Sequence, residues 1–173
     1  MLTAAFSYLA NAPFSAQQRI RAVEILSRYA GELGMVGGQI LDMDSENRTC
    51  TETEILDVQS RKTGALICAA CLLGVVAGSG SEEQMKAAEE FAQKLGLAFQ
   101  IRDDMLDVIG DASKLGKSIG TDGNKNTFVR LYGLEECERL VRAYTDDAIN
   151  ALRYFEDTAY MRNLAAELTA RTI

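Results

Sequence analysis

An all-α chain is what this sequence predicts, on three observations. The 173 residues hold a single proline, Pro13; aromatic residues make up only 7%, with no tryptophan; and apolar residues recur at helical rather than alternating spacing. A proline-poor chain rich in alanine, leucine and glutamate favours helices over a turn-rich β architecture. With 47% hydrophobic and 25% charged residues, the length suits one domain with a substantial core.

The elements come in order. Residues 2–10 read as a short apolar helix, and 15–32 repeat Ile20, Val23, Leu26 and Tyr29 at helical spacing. Thr51 followed by Glu54, and Ser81 followed by Gln84, are capping-box patterns that mark two helix starts. The run 63–81 has no charge and approaches the ~20 residues that span a bilayer. Gly64, Gly74, Gly78 and Gly80 interrupt it, so it reads as a buried central helix. An amphipathic helix over 81–96 with a break at Gly96, and a more apolar one over 97–110, come next. Residues 111–127, rich in glycine and lysine without apolar period, read as an ordered loop. Amphipathic helices over 134–155 and 157–170 close the chain, and no repeat or linker divides it.

Charge and composition exclude several functions. A net charge of −7 argues against nonspecific nucleic-acid binding, and the absence of histidine removes Ser-His and Cys-His nucleophiles and most zinc sites. The start MLTAAFSYLA lacks the basic region of a secretory leader, so a reducing cytoplasmic setting is expected for Cys50, Cys68, Cys71 and Cys137. CAAC at 68–71 has redox spacing, but it lies among small apolar residues and reads as core. The sequon NRT at 47–49 is read as chance.

The chemistry concentrates in DDMLD, 103–107. On a helix Asp103 and Asp107 share a face, and Asp104 points about 100° away. Carboxylates beside apolar neighbours repel one another unless a cation intervenes, and oxygen donors without His or Cys suit Mg2+, which is commonly completed by substrate phosphates. Lys117 and Lys125, in the glycine-containing loop, could hold such a phosphate. A solvated acidic turn and solvated lysines are the plainer alternative; the joint occurrence of the two motifs favours the cation site. A nucleotide P-loop fails because five residues, not four, separate Gly110 from Gly116-Lys117-Ser118, and because a helix precedes it. DMDSENRTCTE from 42 imitates a calcium loop but has Asn47 at the glycine position and Thr53 at the bidentate-glutamate position.

GMVGGQILDMDSE (34–46), RKTGALI (61–67), LAFQIRDDMLDVIGD (97–111) and LGKSIGTDGNKNT (115–127) together resemble the trans-prenyl diphosphate synthases, in their order and approximate spacing. The likeness is greatest to the bacterial farnesyl diphosphate synthase (geranyltranstransferase) type. The resemblance implies a helical bundle of the isoprenoid synthase type, and a prenyltransferase that joins an allylic diphosphate to isopentenyl diphosphate with Mg2+ as cofactor. By position it implies Asp103, Asp104 and Asp107 at the metal, with Asp42 and Gln39 as a supporting pair. Lys62, Lys117 and Lys125 would bind diphosphate, and Thr63 and Gln100 would turn oxygens toward the allylic cation. The family's earlier aspartate-rich motif and its basic segment for isopentenyl diphosphate are not found in these residues. Residues 1–173 are therefore expected to be the C-terminal part of a single isoprenoid synthase domain, truncated at the N-terminus, inactive alone and prone to form a homodimer or otherwise self-associate. The competing reading is a non-catalytic diphosphate-binding or regulatory subunit of a heteromeric prenyl synthase. Asp146-Asp147-Ala148-Ile149-Asn150 is the nearest imitation of a second aspartate motif and is expected to be a solvated face.

Overall fold

The computed structural model describes residues 1–46, 48–115 and 126–171, with 111–115 described as backbone only. Among them there is no strand. Helices α1 (Leu2–Ala10), α2 (Ala16–Ala30), α3 (Met35–Ser45) and α4 (Glu52–Gln59) lead to one π-helical turn, Ser60–Gly64. Then come α5 (Ala65–Ala77), α6 (Glu82–Leu115), α7 (Phe128–Ala151), a 3-10 turn (Leu152–Tyr154) and α8 (Ala159–Thr169).

Both expected capping boxes form: Thr51 with Glu54 at the start of α4, and Ser81 with Gln84 ahead of α6. Ser15 and Gln18 make a third at α2. The buried face of α2 is Ala22, Ile25, Leu26 and Ala30, whereas Ile20 is 60% exposed. The small alanines let α2 lie close on α5, and this outweighs the larger Ile20 in setting the inward face.

Helix α6 is the axis of the fold. Its Ile101 and Met105 join Phe128 and Val141 of α7 and Ile55 of α4 in one apolar cluster. Its Phe91 and Leu95 join Ala148 and Ala151 of α7 and Ala165 of α8 in a second. Ala88 joins Ile25 of α2 and Leu72 of α5 in a third. The expected break at Gly96 does not occur, and 82–115 is one helix of 34 residues. A mid-helix glycine costs about 1 kcal/mol relative to alanine, but a Cβ here would stand 3.2 Å from Gly64 Cα. Gly96 is thus where α6 passes against the π turn. The helix also runs to Leu115, beyond the expected end at 110, because an established helix gains a hydrogen bond for each residue it adds. Helix α7 begins at Phe128, and a left-handed Gly133 (φ 78°) separates its first turn from the stretch expected from 134.

Segment 34–46, which carries no helical assignment from its sequence pattern, is helix α3. A Cβ on Gly38 would lie 2.3 Å from Lys62 N and 2.7 Å from Arg61 Cβ, so α3 and the π turn meet at backbone contact. Gly38→Ala is expected to destabilise the chain by about 1–3 kcal/mol, the usual cost of overpacking. Urea unfolding followed by circular dichroism measures it, and an unchanged midpoint would contradict the close approach.

Helix α5 is a core helix with one open side. Ala65, Cys68, Ala69, Leu72 and Val75 are buried, but Leu66 is 40% exposed and Ala70 and Gly74 lie on the same open side. The continuous stretch Glu52–Ala77 is long and apolar enough to cross a membrane by length and composition. One face of α5 nonetheless packs on α2 and α6, as a core helix does. Cys68 is 3% exposed, as the core reading of CAAC expects, while Cys71 is half-buried at the edge of a cavity; burial pushes the Cys68 thiol up to about 12 and that of Cys71 up to about 11, against a thiolate.

Candidate functional site

The π turn carries two adjacent side chains to opposite neighbours. A π turn inserts a residue into the helical ladder and rotates the residues after it; here Lys62 reaches α3 and Thr63 reaches α6. Lys62 Nζ lies 2.5 Å from Asp42 Oδ2, both partly exposed. Thr63 Oγ1 donates to Gln100 Oε1 at 3.1 Å. Gln100 Nε2 donates to Asp104 Oδ1 at 3.1 Å, and the Phe128 amide donates to Asp104 Oδ2 at 2.9 Å. A chain of hydrogen bonds thus runs from the π turn across α6 to the first residue of α7.

Asp42, Lys62, Asp104 and Asp107 line one pocket of about 430 Å³, together with Glu46 and Asn126. Of the aspartates of the DDMLD motif, Asp104 is the buried one, at 7% exposure. Burial raises its carboxyl above the usual range, while the Phe128 amide and Gln100 act in the opposite direction and the neighbouring Asp103 and Asp107 add to the rise. Asp107 is exposed and makes no ion pair with a described residue. Asp103 turns instead toward the end of the chain, 3.6 Å from Arg171 Nη2, and does not line the pocket. Asp103 and Asp107 share a helix face by spacing, yet the pocket takes Asp104 with Asp107, because Arg171 sits beside Asp103 while stacked on the Phe99 ring. Gln39 is exposed on α3 and outside the pocket lining. Lys117 and Lys125 lie outside the described residues. Asp146 is exposed and Asp147 pairs with Lys94 at 3.2 Å, in keeping with a solvated face.

On the other side of the π turn lies an apolar cavity of about 910 Å³ between α5, α6 and α8. Thr63, Ile67, Phe99, Leu95, Met161 and Leu164 are among its walls. Lys62 therefore faces a polar pocket and Thr63 an apolar one.

Two contributors are not singled out by the sequence pattern. The π turn itself is one; no local pattern in SRKTG announces it. Asn126 is the other: its Nδ2 donates to the Ser45 and Arg48 carbonyls and its Oδ1 accepts from the Cys50 amide. It ties the exit of α3 to the entry of α7, and only tertiary structure brings these partners to it.

Among the described residues no group of three or more His, Cys, Asp or Glu side chains gathers closely enough to hold a metal by itself. The donors present still fit Mg2+. That ion retains waters and takes one or two carboxylates, with the remainder from phosphate oxygens, and Asp107 opens onto the pocket that holds Lys62.

The model of the polyprenyl synthetase family matches residues 1–168. The chain belongs to this family. It is 37% identical to the farnesyl diphosphate synthase of Escherichia coli K12, over 98% of this chain and 60% of that protein. It superposes on an FPP/GFPP synthase from Zymomonas mobilis with a TM-score of 0.83 at 30% identity, over 96% of this chain and 57% of that one. It also superposes on a Helicobacter pylori geranyltransferase complexed with magnesium and isoprenyl diphosphate, with a TM-score of 0.76 at 31% identity, over 96% of this chain and 55% of that one. The all-α isoprenoid synthase fold is thereby established for this polyprenyl synthetase chain, which spans a little over half the length of these relatives.

Proposed function

We propose that the protein is a prenyltransferase that condenses an allylic diphosphate with isopentenyl diphosphate, and that residues 1–173 supply the part that holds the departing diphosphate. The observation that carries this reading is the pair of unlike pockets on either side of one turn: a carboxylate-lined pocket reached by Lys62 and an apolar cavity reached by Thr63. A prenyl diphosphate has this same division, a multiply charged head on a hydrocarbon chain.

Lys62 binds the head as a point charge, exchanging Asp42 for phosphate oxygen. Asp107, with Asp42 near by in the same pocket, would hold Mg2+, which when bound neutralises the charge that builds on the leaving diphosphate. The Helicobacter pylori geranyltransferase complexed with magnesium and isoprenyl diphosphate supports Mg2+ as the cation. The cavity walls exclude water from the hydrocarbon, and the Thr63 hydroxyl, hydrogen-bonded to the Gln100 carbonyl, lines that cavity where positive charge would develop.

The four free cysteines and the net charge of −7 support a cytoplasmic protein that does not bind nucleic acid. Leu33, Val36, Ile40 and Met43 fall at alternating intervals of three and four residues and are all at least 40% exposed, a seam of Val36, Ile40 and Met43 along α3, with Leu33 in the turn just before it, that supports homodimerisation.

The reading is tested with labelled isopentenyl diphosphate, geranyl diphosphate and Mg2+. The 173-residue chain alone is expected to give no product; mixed with a polypeptide that supplies the part of the family fold it does not match, it is expected to give labelled prenyl diphosphate. Lack of product from a mixture in which the two polypeptides form a stable complex would count against prenyl transfer.

A further inference from the structure

We propose that Asp104, buried between Gln100 and the first amide of α7, is a positioning residue that fixes the polarity of the Thr63 hydroxyl, and is not a metal ligand. The consequence for a cation in the apolar cavity rests on the prenyl-transfer reading; the polarity itself does not.

Hydrogen-bonding capacity sets the direction of each link. An ionised carboxylate only accepts, a primary amide donates at one end and accepts at the other, and a hydroxyl can do either. Asp104 receives the Phe128 amide on Oδ2 and Gln100 Nε2 on Oδ1. Since Asp104 offers no donor on that side, Gln100 must present its NH2 to Asp104 and its carbonyl to the π turn. The Gln100 Oε1 at 3.1 Å then demands the Thr63 hydrogen. With that hydrogen committed, the Thr63 oxygen offers only lone pairs to the cavity it lines. An acceptor-only oxygen in an otherwise apolar wall favours a passing positive charge.

Asp104 also completes the start of α7. The first amides of a helix lack intrahelical partners; Thr127 Oγ1 accepts from Arg130 N, and Asp104 takes Phe128 N. Both carboxylate oxygens are thus occupied at 7% exposure, whereas Asp107, one turn on, is exposed to the same pocket. Burial and occupancy separate the roles of two aspartates that the motif presents as equivalent.

Asp104→Asn distinguishes this account because it preserves every hydrogen bond while reversing the direction of two of them, at Gln100 and at Thr63. In the variant the new side-chain oxygen must accept from Phe128 N and the new NH2 must donate to Gln100; Gln100 turns over, and its Nε2 then donates to Thr63. The test is ligand-free nuclear Overhauser spectroscopy on the isotopically labelled 173-residue chain. In the wild type the Gln100 Nε2 hydrogens are expected to show no cross-peak to the Thr63 γ-methyl; in D104N, with helicity unchanged by circular dichroism, that cross-peak is expected to appear. A Gln100 NH2 that contacts the Thr63 methyl already in the wild type overturns the proposal, whatever the variant does, and so does an unmoved amide in folded D104N. A second arm titrates Mg2+ with inorganic diphosphate, where Asp107→Asn is expected to lose at least tenfold in affinity and D104N less than threefold. An equal loss in both variants also overturns the proposal, by making Asp104 a ligand. If the wild type binds no Mg2+-diphosphate, the function proposed above fails, and the spectroscopic arm decides the role of Asp104 alone.

Discussion

Phe91→Ala is expected to destabilise the chain by about 3–5 kcal/mol, the usual range for emptying a buried phenylalanine site. Phe91 is 1% exposed and packs among Leu95, Ala148, Ala151 and Ala165. Ala148, Ala151 and Ala165 have no flexible side chain to fill the space, while Leu95, Leu152 and the partly buried Met161 can close only part of it, so the loss should fall within this range. The effect reaches the site through the continuity of α6: the same helix carries Gln100, Asp104 and Asp107. Urea unfolding monitored by circular dichroism gives the value, with an unchanged slope showing that stability alone has moved. A loss below about 1 kcal/mol, far under this range, would mean that α6 is not the axis around which the three apolar clusters assemble.

The second large effect concerns Lys62. Lys62→Ala is expected to weaken binding of Mg2+-diphosphate by about 10- to 150-fold, the equivalent of a charge-assisted contact of roughly 1.5–3 kcal/mol. Stability should change little, because the ammonium is partly exposed and its partner Asp42, also partly exposed, regains water when released. Calorimetric titration of both forms with inorganic diphosphate at fixed Mg2+ separates the two possibilities. Equal affinities would make the Lys62–Asp42 contact a surface ion pair with no part in binding.

Much of this architecture is readable from the residues, and the exceptions have physical causes. The caps at Thr51 and Ser81 are local signals, satisfied within four residues, and the structure realises both. Helix α8 is legible from its amphipathic pattern, and α5 from an uncharged apolar run. Gly96 misleads because a glycine within a helix and one at its end look alike until Gly64 is seen 3.2 Å from where its Cβ would be. Ile20 misleads because a large side chain counts for more in a periodic pattern than the alanines that α2 buries.

Within the site, motif spacing finds the aspartates but not their division of labour. Asp103 is drawn aside by Arg171, 68 residues on, and Asp104 is occupied by Phe128, 24 residues on; neither partner belongs to a motif. The resemblance names Thr63 and Gln100 for their oxygens, and the hydrogen bond between them at 3.1 Å is visible only in the fold. The π turn that sends Lys62 and Thr63 to different pockets has no sequence counterpart at all, since it depends on how α3 and α6 press on the chain around Gly38, Gly64 and Gly96.

The claim that a Mg2+-diphosphate site lies between α3, the π turn and α6 is tested most directly by titrating the unmodified 173-residue chain with inorganic diphosphate, with Mg2+ present and then with the metal chelated. Saturable binding at one site per chain that disappears on chelation and is weakened at least tenfold by Asp107→Asn is the predicted result. Binding of equal strength without Mg2+, or full affinity in Asp107→Asn, would contradict it.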